Sequence, residues 1–288
     1  MRTIKAIQKA VYEPISDLVT YRAMPTPAVP KNSIDPFIFL NHHGYQEFPP
    51  LNEGLPFGPH PHRGFETVTF ILQGDLTHQD SGGGQSVIMA GGIQWMVAGK
   101  GLIHAEVSSD DFRLKGGPLE LLQLWINLPA QHKMIQPIYQ GLQKKDIPEL
   151  WLDGDKAIAH IVFGRWKGIN GPFYALTDIH LARIDFKQGG KTGFLISREK
   201  NILLYVIKGT MEVNNKEIHQ HSIAVFAHDD EPVHMHALTD AVVLFGYATP
   251  FREPFVAHGP FVMNSREQIL QAYNDYNSGI FGDERSFK

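Results

Sequence analysis

A chain of 288 residues that is 43% hydrophobic and 19% charged has enough apolar material for more than one core, which excludes a disordered tail. Its formal charge of −4, from 26 Lys and Arg against 30 Asp and Glu, excludes the basic field of a direct nucleic-acid binder. Cysteine is absent, which removes disulfides, thiolate metal ligands and Cys nucleophiles, while histidine, at 15, is in surplus.

The N-terminus, MRTIKAIQKAVYEP, lacks the apolar run of about 7–15 residues that a secretory signal needs. No apolar stretch approaches the ~20 residues that span a bilayer. The expectation is a soluble cytoplasmic protein without a membrane partner, or a nuclear one in a eukaryote. Short alternating or β-branched runs follow in chain order: Thr67–Leu72, Gly84–Met89, Gln94–Ala98, Leu121–Asn127, Leu203–Lys208 and Ala241–Gly246. Gly, Pro, Asn and Asp bound them, as in a β-sandwich or barrel.

Residues 131–155, with Pro137, Pro148, Lys144 and Lys145, show no strand pattern and read as a linker. The halves on either side look alike. Phe70-Ile-Leu-Gln-Gly74-Asp-Leu matches Tyr205-Val-Ile-Lys-Gly209-Thr-Met, and Ile93-Gln-Trp-Met matches Ile223-Ala-Val-Phe at a similar offset. The expected organisation is a barrel over 1–130, a second over 156–250, and a tail over 251–288. Within that tail Ser265 and Gln268 form a capping box, Ile269, Ala272, Tyr273 and Tyr276 recur at helical spacing, and Gly279 marks a stop.

On a strand, residues two apart share a face, so each His-x-His pair aims two imidazoles in one direction. Three such pairs occur, His60/His62, His219/His221 and His234/His236, where chance alone gives about one. Spacing does not choose among them. His60 and His62 stand in a stiff, turn-flanked segment, Gly58-Pro-His-Pro-His-Arg-Gly64-Phe-Glu66, and His104/Glu106 is a further pair with the same parity. Three imidazoles and a carboxylate converging in a barrel suit a borderline transition metal with open positions better than Mg or Ca.

The span Gly54-(x5)-His60-x-His62-(x3)-Glu66-(x7)-Gly74 resembles the first cupin motif, and Gly91-(x12)-His104 resembles the second. The runs from His60 to Thr69, from Gln94 to Glu106, Leu122-Gln-Leu-Trp-Ile-Asn127 and Glu253-Pro…His258-Gly-Pro-Phe-Val-Met-Asn264 resemble the pirin family across nearly the whole chain. That resemblance implies an all-β bicupin, two tandem cupin β-barrels with a short C-terminal helix. It implies one divalent transition metal per chain on His60, His62, His104 and Glu106, with Fe(II) first and Ni, Cu, Mn, Co or Zn as alternatives. Glu66, at the usual cupin glutamate position, is expected not as a ligand but either in support of the ligands or in a buried hydrogen bond. In the second barrel, counting back from Gly209 puts Leu195 and Ser197 where the histidines would be, so no metal is expected there; His234/His236 read as structural.

The resemblance also implies two functions. One is quercetin 2,3-dioxygenase-like chemistry on a small aromatic substrate with O₂; the residues themselves offer Glu106 as ligand or as base for the flavonol hydroxyl, and Phe57, Phe65, Trp95 and Met96 as an apolar wall or as plain core. The other is a non-enzymatic iron-binding co-regulator or redox-sensing module with an unidentified protein partner.

Overall fold

Gly74 and Gly209, matched above, are the corners at which the chain leaves one sheet for another. Each has a positive φ, +78° and +81°, and each lies against a backbone carbonyl, of Pro118 and of Asp240, that a Cβ would strike. The strands on either side, Phe65–Gln73 and Asp75–Asp80, or Asn201–Lys208 and Thr210–Val213, belong to different sheets. The internal repeat is therefore a repeated fold. The computed structural model describes residues 1–229, 232–283 and 287; the remainder of the expected tail, and Asp230 and Glu231, lie outside these. The protein is mostly β, with two cupin domains.

The chain divides into two units. One comprises residues 13–20, 40–145 and 252–288. It holds a four-stranded sheet in the order Phe57–His62, Leu102–Val107, Asp75–Asp80, Gln85–Met89. Its second sheet runs Ile138–Leu142, Ile93–Val97, Phe65–Gln73, Gly117–Asn127 and then the Phe37–Phe48 strand, which enters this unit at Leu40. Ile71, Leu76, Ile88, Leu119 and Leu121 form its core. A separate cluster joins Ile103 to Phe261, Met263, Ile269, Ala272 and Phe281 of the C-terminal segment.

The other unit comprises residues 1–12, 21–39 and 146–251. Its larger sheet orders Ile4–Lys9, Ser222–Phe226, Asn201–Lys208, Ala241–Ala248, Ile179–Phe186, Ala157–Phe163 and Glu149–Asp153. Its smaller sheet orders Lys191–Phe194, Val233–Ala237, Thr210–Val213 and Lys216–His219. The buried Arg2 guanidinium donates to the carbonyls of Ala227, Ser197 and Lys200, fixing the first residues here.

This division is not the linear one read from the sequence. The first strand pairs with Ser222–Phe226, and residues 252–288 return to the earlier unit. Residues 131–155 carry two edge strands, Ile138–Leu142 and Glu149–Asp153, paired to opposite units. An edge strand's alternation shows which face it buries but not which sheet it joins, so its partner is invisible in sequence. The C-terminal helix is present at Arg266–Asn277, with the Ser265 hydroxyl accepting from the Gln268 N–H and Ile269 and Ala272 buried. A six-residue helix, Asp110–Lys115, capped by Ser109, was not anticipated. Among the described residues no helix is long and apolar enough to cross a membrane.

Candidate metal centre

Strands Phe57–His62 and Leu102–Val107 pair antiparallel with His104 opposite His60 and Leu102 opposite His62. Directly opposed residues share a face, so all three imidazoles project together. Ring centroids lie 4.3 Å apart for His60–His104, 4.8 Å for His60–His62 and 4.9 Å for His62–His104. One ring nitrogen from each falls within 4.8 Å of the others, a group able to hold a metal ion. His62 and His104 are buried and His60 is half-buried.

The ring nitrogens are arranged for coordination. Nδ1 of His60 faces the Gly58 carbonyl at 2.7 Å, and Nδ1 of His62 faces the Pro260 carbonyl at 3.3 Å. A proton on each Nδ1 leaves Nε2 as a lone pair. In His104 both ring nitrogens are buried and neither has a hydrogen-bond partner. Burial, then the neighbouring His60, holds the pKa values of His62 and His104 well below the ordinary histidine range. Both rings are therefore neutral, the form that binds metal. A buried imidazole with two unmet nitrogens is costly unless something occupies them, and the donor set fits a transition metal.

Glu106 stands outside that nitrogen group in this structure. A register shift separates it from His104, and its carboxylate accepts from three side chains: Gln94 Nε2, Thr69 Oγ1 at 3.3 Å and Gln123 Nε2 at 2.7 Å. Gln123 in turn accepts from Trp125 Nε1 at 3.2 Å. Across from Glu106 in the next strand lies His78, whose Nε2 bonds Asp80 at 2.9 Å and whose ring stacks on Tyr139 at 3.7 Å.

Glu66 is buried and its Oε2 accepts from Trp95 Nε1 at 2.6 Å, a buried hydrogen bond, one of the two expectations for it. It does not share the face of His60 and His62, because Gly64, at φ +86°, ends one strand and the next begins at Phe65. Within that next strand Thr69 opposes Gln94 on the face toward Glu106, so Glu66, Val68 and Trp95 take the other. Trp95 is thus no part of an apolar wall around the triad. Phe65 is, with its ring 4.9 Å from His62 and 4.3 Å from Trp125. Phe57 packs 5.2 Å from His43 at the edge, and Met96 is fully buried.

In the other unit the register overturns the choice of Leu195 and Ser197. Val233 pairs with Phe194, as His104 pairs with His60, and Leu195 is 83% exposed. Val233 and Met235 are buried where His104 and Glu106 would stand, so an apolar core fills that position. His234 and His236 point the other way, into an open outer groove with Glu212 and Lys191. His219 is exposed.

Sequence reasoning missed Gln94, Gln123, Thr69 and His78 as neighbours of Glu106, and Asp80 as the residue opposite His104. The signal was available for His78 and Asp80, a same-face pair directly after Gly74, and for Gln123, a polar residue inside an apolar strand.

Residues 18–126 match the family model described as Pirin, and residues 181–282 match the Pirin C-terminal cupin domain. The chain belongs to the pirin family. This pirin is 35% identical over 268 residues, 93% of its own length and 92% of the relative's, to a Pseudomonas aeruginosa protein provisionally named a quercetin 2,3-dioxygenase. It is 35% identical over 266 residues to a pirin-like protein of Solanum lycopersicum, covering 88% and 84% of the two chains. Its fold is similar to the crystal structure of a quercetin 2,3-dioxygenase from Acinetobacter baumannii, with a TM-score of 0.91 and 30% identity over 99% of each chain.

Proposed function

We propose that this pirin holds one divalent transition-metal ion on His60, His62 and His104 with Glu106 as fourth ligand, and oxidises a flavonol-type aromatic substrate with O₂. The observation that carries the reading is the convergence of the His60, His62 and His104 imidazoles, with both buried nitrogens of His104 lacking partners. When bound, such an ion supplies Lewis acidity toward a substrate oxygen and, for Fe(II) and similar metals, redox chemistry toward O₂. The names carried by the Pseudomonas and Acinetobacter proteins support the substrate class. Fe(II) is the first choice of metal, with Ni, Cu, Mn, Co and Zn satisfied by the same ligands.

The chain's own residues do the rest. Glu106 accepts the proton of the flavonol hydroxyl, and the amides of Gln94 and Gln123 orient its two oxygens. Phe65 and Trp125 offer ring faces beside His62. One observation favours a second reading, a metal-sensing protein-binding module: the Glu106 oxygens are already engaged by three donors, as in a site closed to chemistry. Anaerobic loading with each metal followed by flavonol and O₂ separates the two. Turnover that needs metal and O₂ together supports the enzyme; its absence with Fe, Mn, Co, Ni and Cu supports the module.

A further inference from the structure

Three consecutive residues beginning at a triad histidine are tied to the C-terminal segment, about 200 residues away in sequence. His62 Nδ1 meets the Pro260 carbonyl at 3.3 Å. The Arg63 carbonyl accepts from the Val262 N–H at 3.0 Å, and Arg63 bridges Phe261 in parallel register. The Gly64 carbonyl and the Val262 carbonyl share one buried cation, Lys133 Nζ, at 2.8 and 3.1 Å, and that cation also donates to Asn127 Oδ1 at 2.6 Å. Gly64 packs so closely on the Val262 carbonyl that a Cβ would collide with it.

The Arg63 side chain completes the attachment. Its Nε donates to the Lys100 carbonyl at 2.7 Å, and Nη1 pairs with Asp275 of the C-terminal helix at 2.7 Å. Its guanidinium covers the Phe281 ring at 4.5 Å, and only 3% of the Arg63 side chain is exposed. On the second metal-bearing strand, Ser81 Oγ accepts from the Ile103 N–H at 3.1 Å and donates to the Phe281 carbonyl at 2.6 Å. Ile103 immediately precedes His104. The segment therefore grips one strand at His62 and the other beside His104.

We infer that the C-terminal segment from Pro260 to Phe281 is a working part of the metal centre, in which Asp275, acting through Arg63, is a positioning residue that seats the Pro260 carbonyl on His62. The inference rests on the metal-binding reading above. The acceptor on the far nitrogen of a metal-bound imidazole fixes its tautomer and ring angle, and loss of such an acceptor lowers metal affinity by roughly 10–100-fold. Here the acceptor is a backbone carbonyl, so its position depends on what anchors the segment that carries it. A buried arginine held by a bidentate-capable carboxylate and stacked on an aromatic ring is a stiff anchor.

The test uses the full chain and Co(II), read by chelator competition, by d–d absorption and by the hyperfine-shifted Nδ1–H signal of His62. Asp275→Ala should bind Co(II) roughly 10–100-fold more weakly, with a faster-exchanging His62 Nδ1–H and an unchanged His60 signal. Asp275→Glu should recover most of the affinity, and Leu270→Ala, on the exposed side of the same helix, should bind as the wild type does. Should Asp275→Ala fail to fold, Ser81→Ala, which frees the Phe281 carbonyl, should still weaken binding. Unchanged affinity and an unchanged His62 signal in the folded variants would overturn the inference while leaving the metal site standing. A wild type that binds no Co(II) would overturn both.

Discussion

Gln94 and Glu106 meet in the interior of the first barrel, where the Gln94 side-chain amide donates to Glu106 Oε1 although their strands lie in different sheets. Gln123 donates to the other carboxylate oxygen, so two amides hold the buried Glu106 carboxylate. Replacing either by Leu strips a donor from a buried carboxylate, a loss of about 1–3 kcal/mol. Chemical denaturation of Gln94→Leu and Gln123→Leu should show this, and any flavonol turnover should fall in both. Wild-type stability in either variant would mean that the amides are bystanders.

Glu106→Gln keeps the shape of the side chain but removes its charge and its capacity to take a proton. Turnover by the metal-loaded variant should drop by roughly 10²–10⁴-fold if Glu106 is the base, while near-UV circular dichroism stays that of the wild type. A rate within twofold of wild type would remove Glu106 from the chemistry.

Much of the site was legible because strand parity is a rigid rule. Spacing of two puts His60 with His62 and His104 with Glu106 on shared faces, the resemblance to the pirin motifs singles these pairs out from the other His-x-His pairs, and the strand register brings the three histidines together. Parity misled where the strand broke. Glu66 counts evenly from His62, but the chain resets at Gly64 and turns that side chain to the other face. Counting misled again at Leu195, because the loop before Gly209 differs in length from the one before Gly74 and moves the register by one residue. The Pro260 carbonyl and Asp275 had no local signal at all, since their partners lie far away in sequence.

Burial raises the Glu66 pKa from 4.5 to about 7, against the smaller opposing effect of the Trp95 hydrogen bond. Between those two values the unfolded chain has lost the proton that the folded chain keeps, so stability falls as pH rises, by about 3 kcal/mol in all. Glu66→Gln cannot titrate and should lack this decline. Urea titrations of metal-free wild type and variant at pH 5 and pH 8 should show the variant gaining on the wild type at the higher pH. A constant difference across that range would contradict the buried-acid reading.

His234 and His236 lie on the outer face of a barrel whose inward positions are Val233 and Met235. Replacing both with Asn should leave the metal content of the protein unchanged. Loss of metal from that double variant, by elemental analysis, would show that the second barrel holds an ion after all.

The central claim is that one metal ion sits on the His60, His62, His104 and Glu106 set. It is tested most directly by counting metal per chain after anaerobic Fe(II) loading and desalting, in wild type and in His104→Ala, the variant lacking the imidazole whose two nitrogens are unmet. The account predicts one equivalent in the wild type and close to none in His104→Ala. Two equivalents in the wild type, or one retained by His104→Ala, would contradict it.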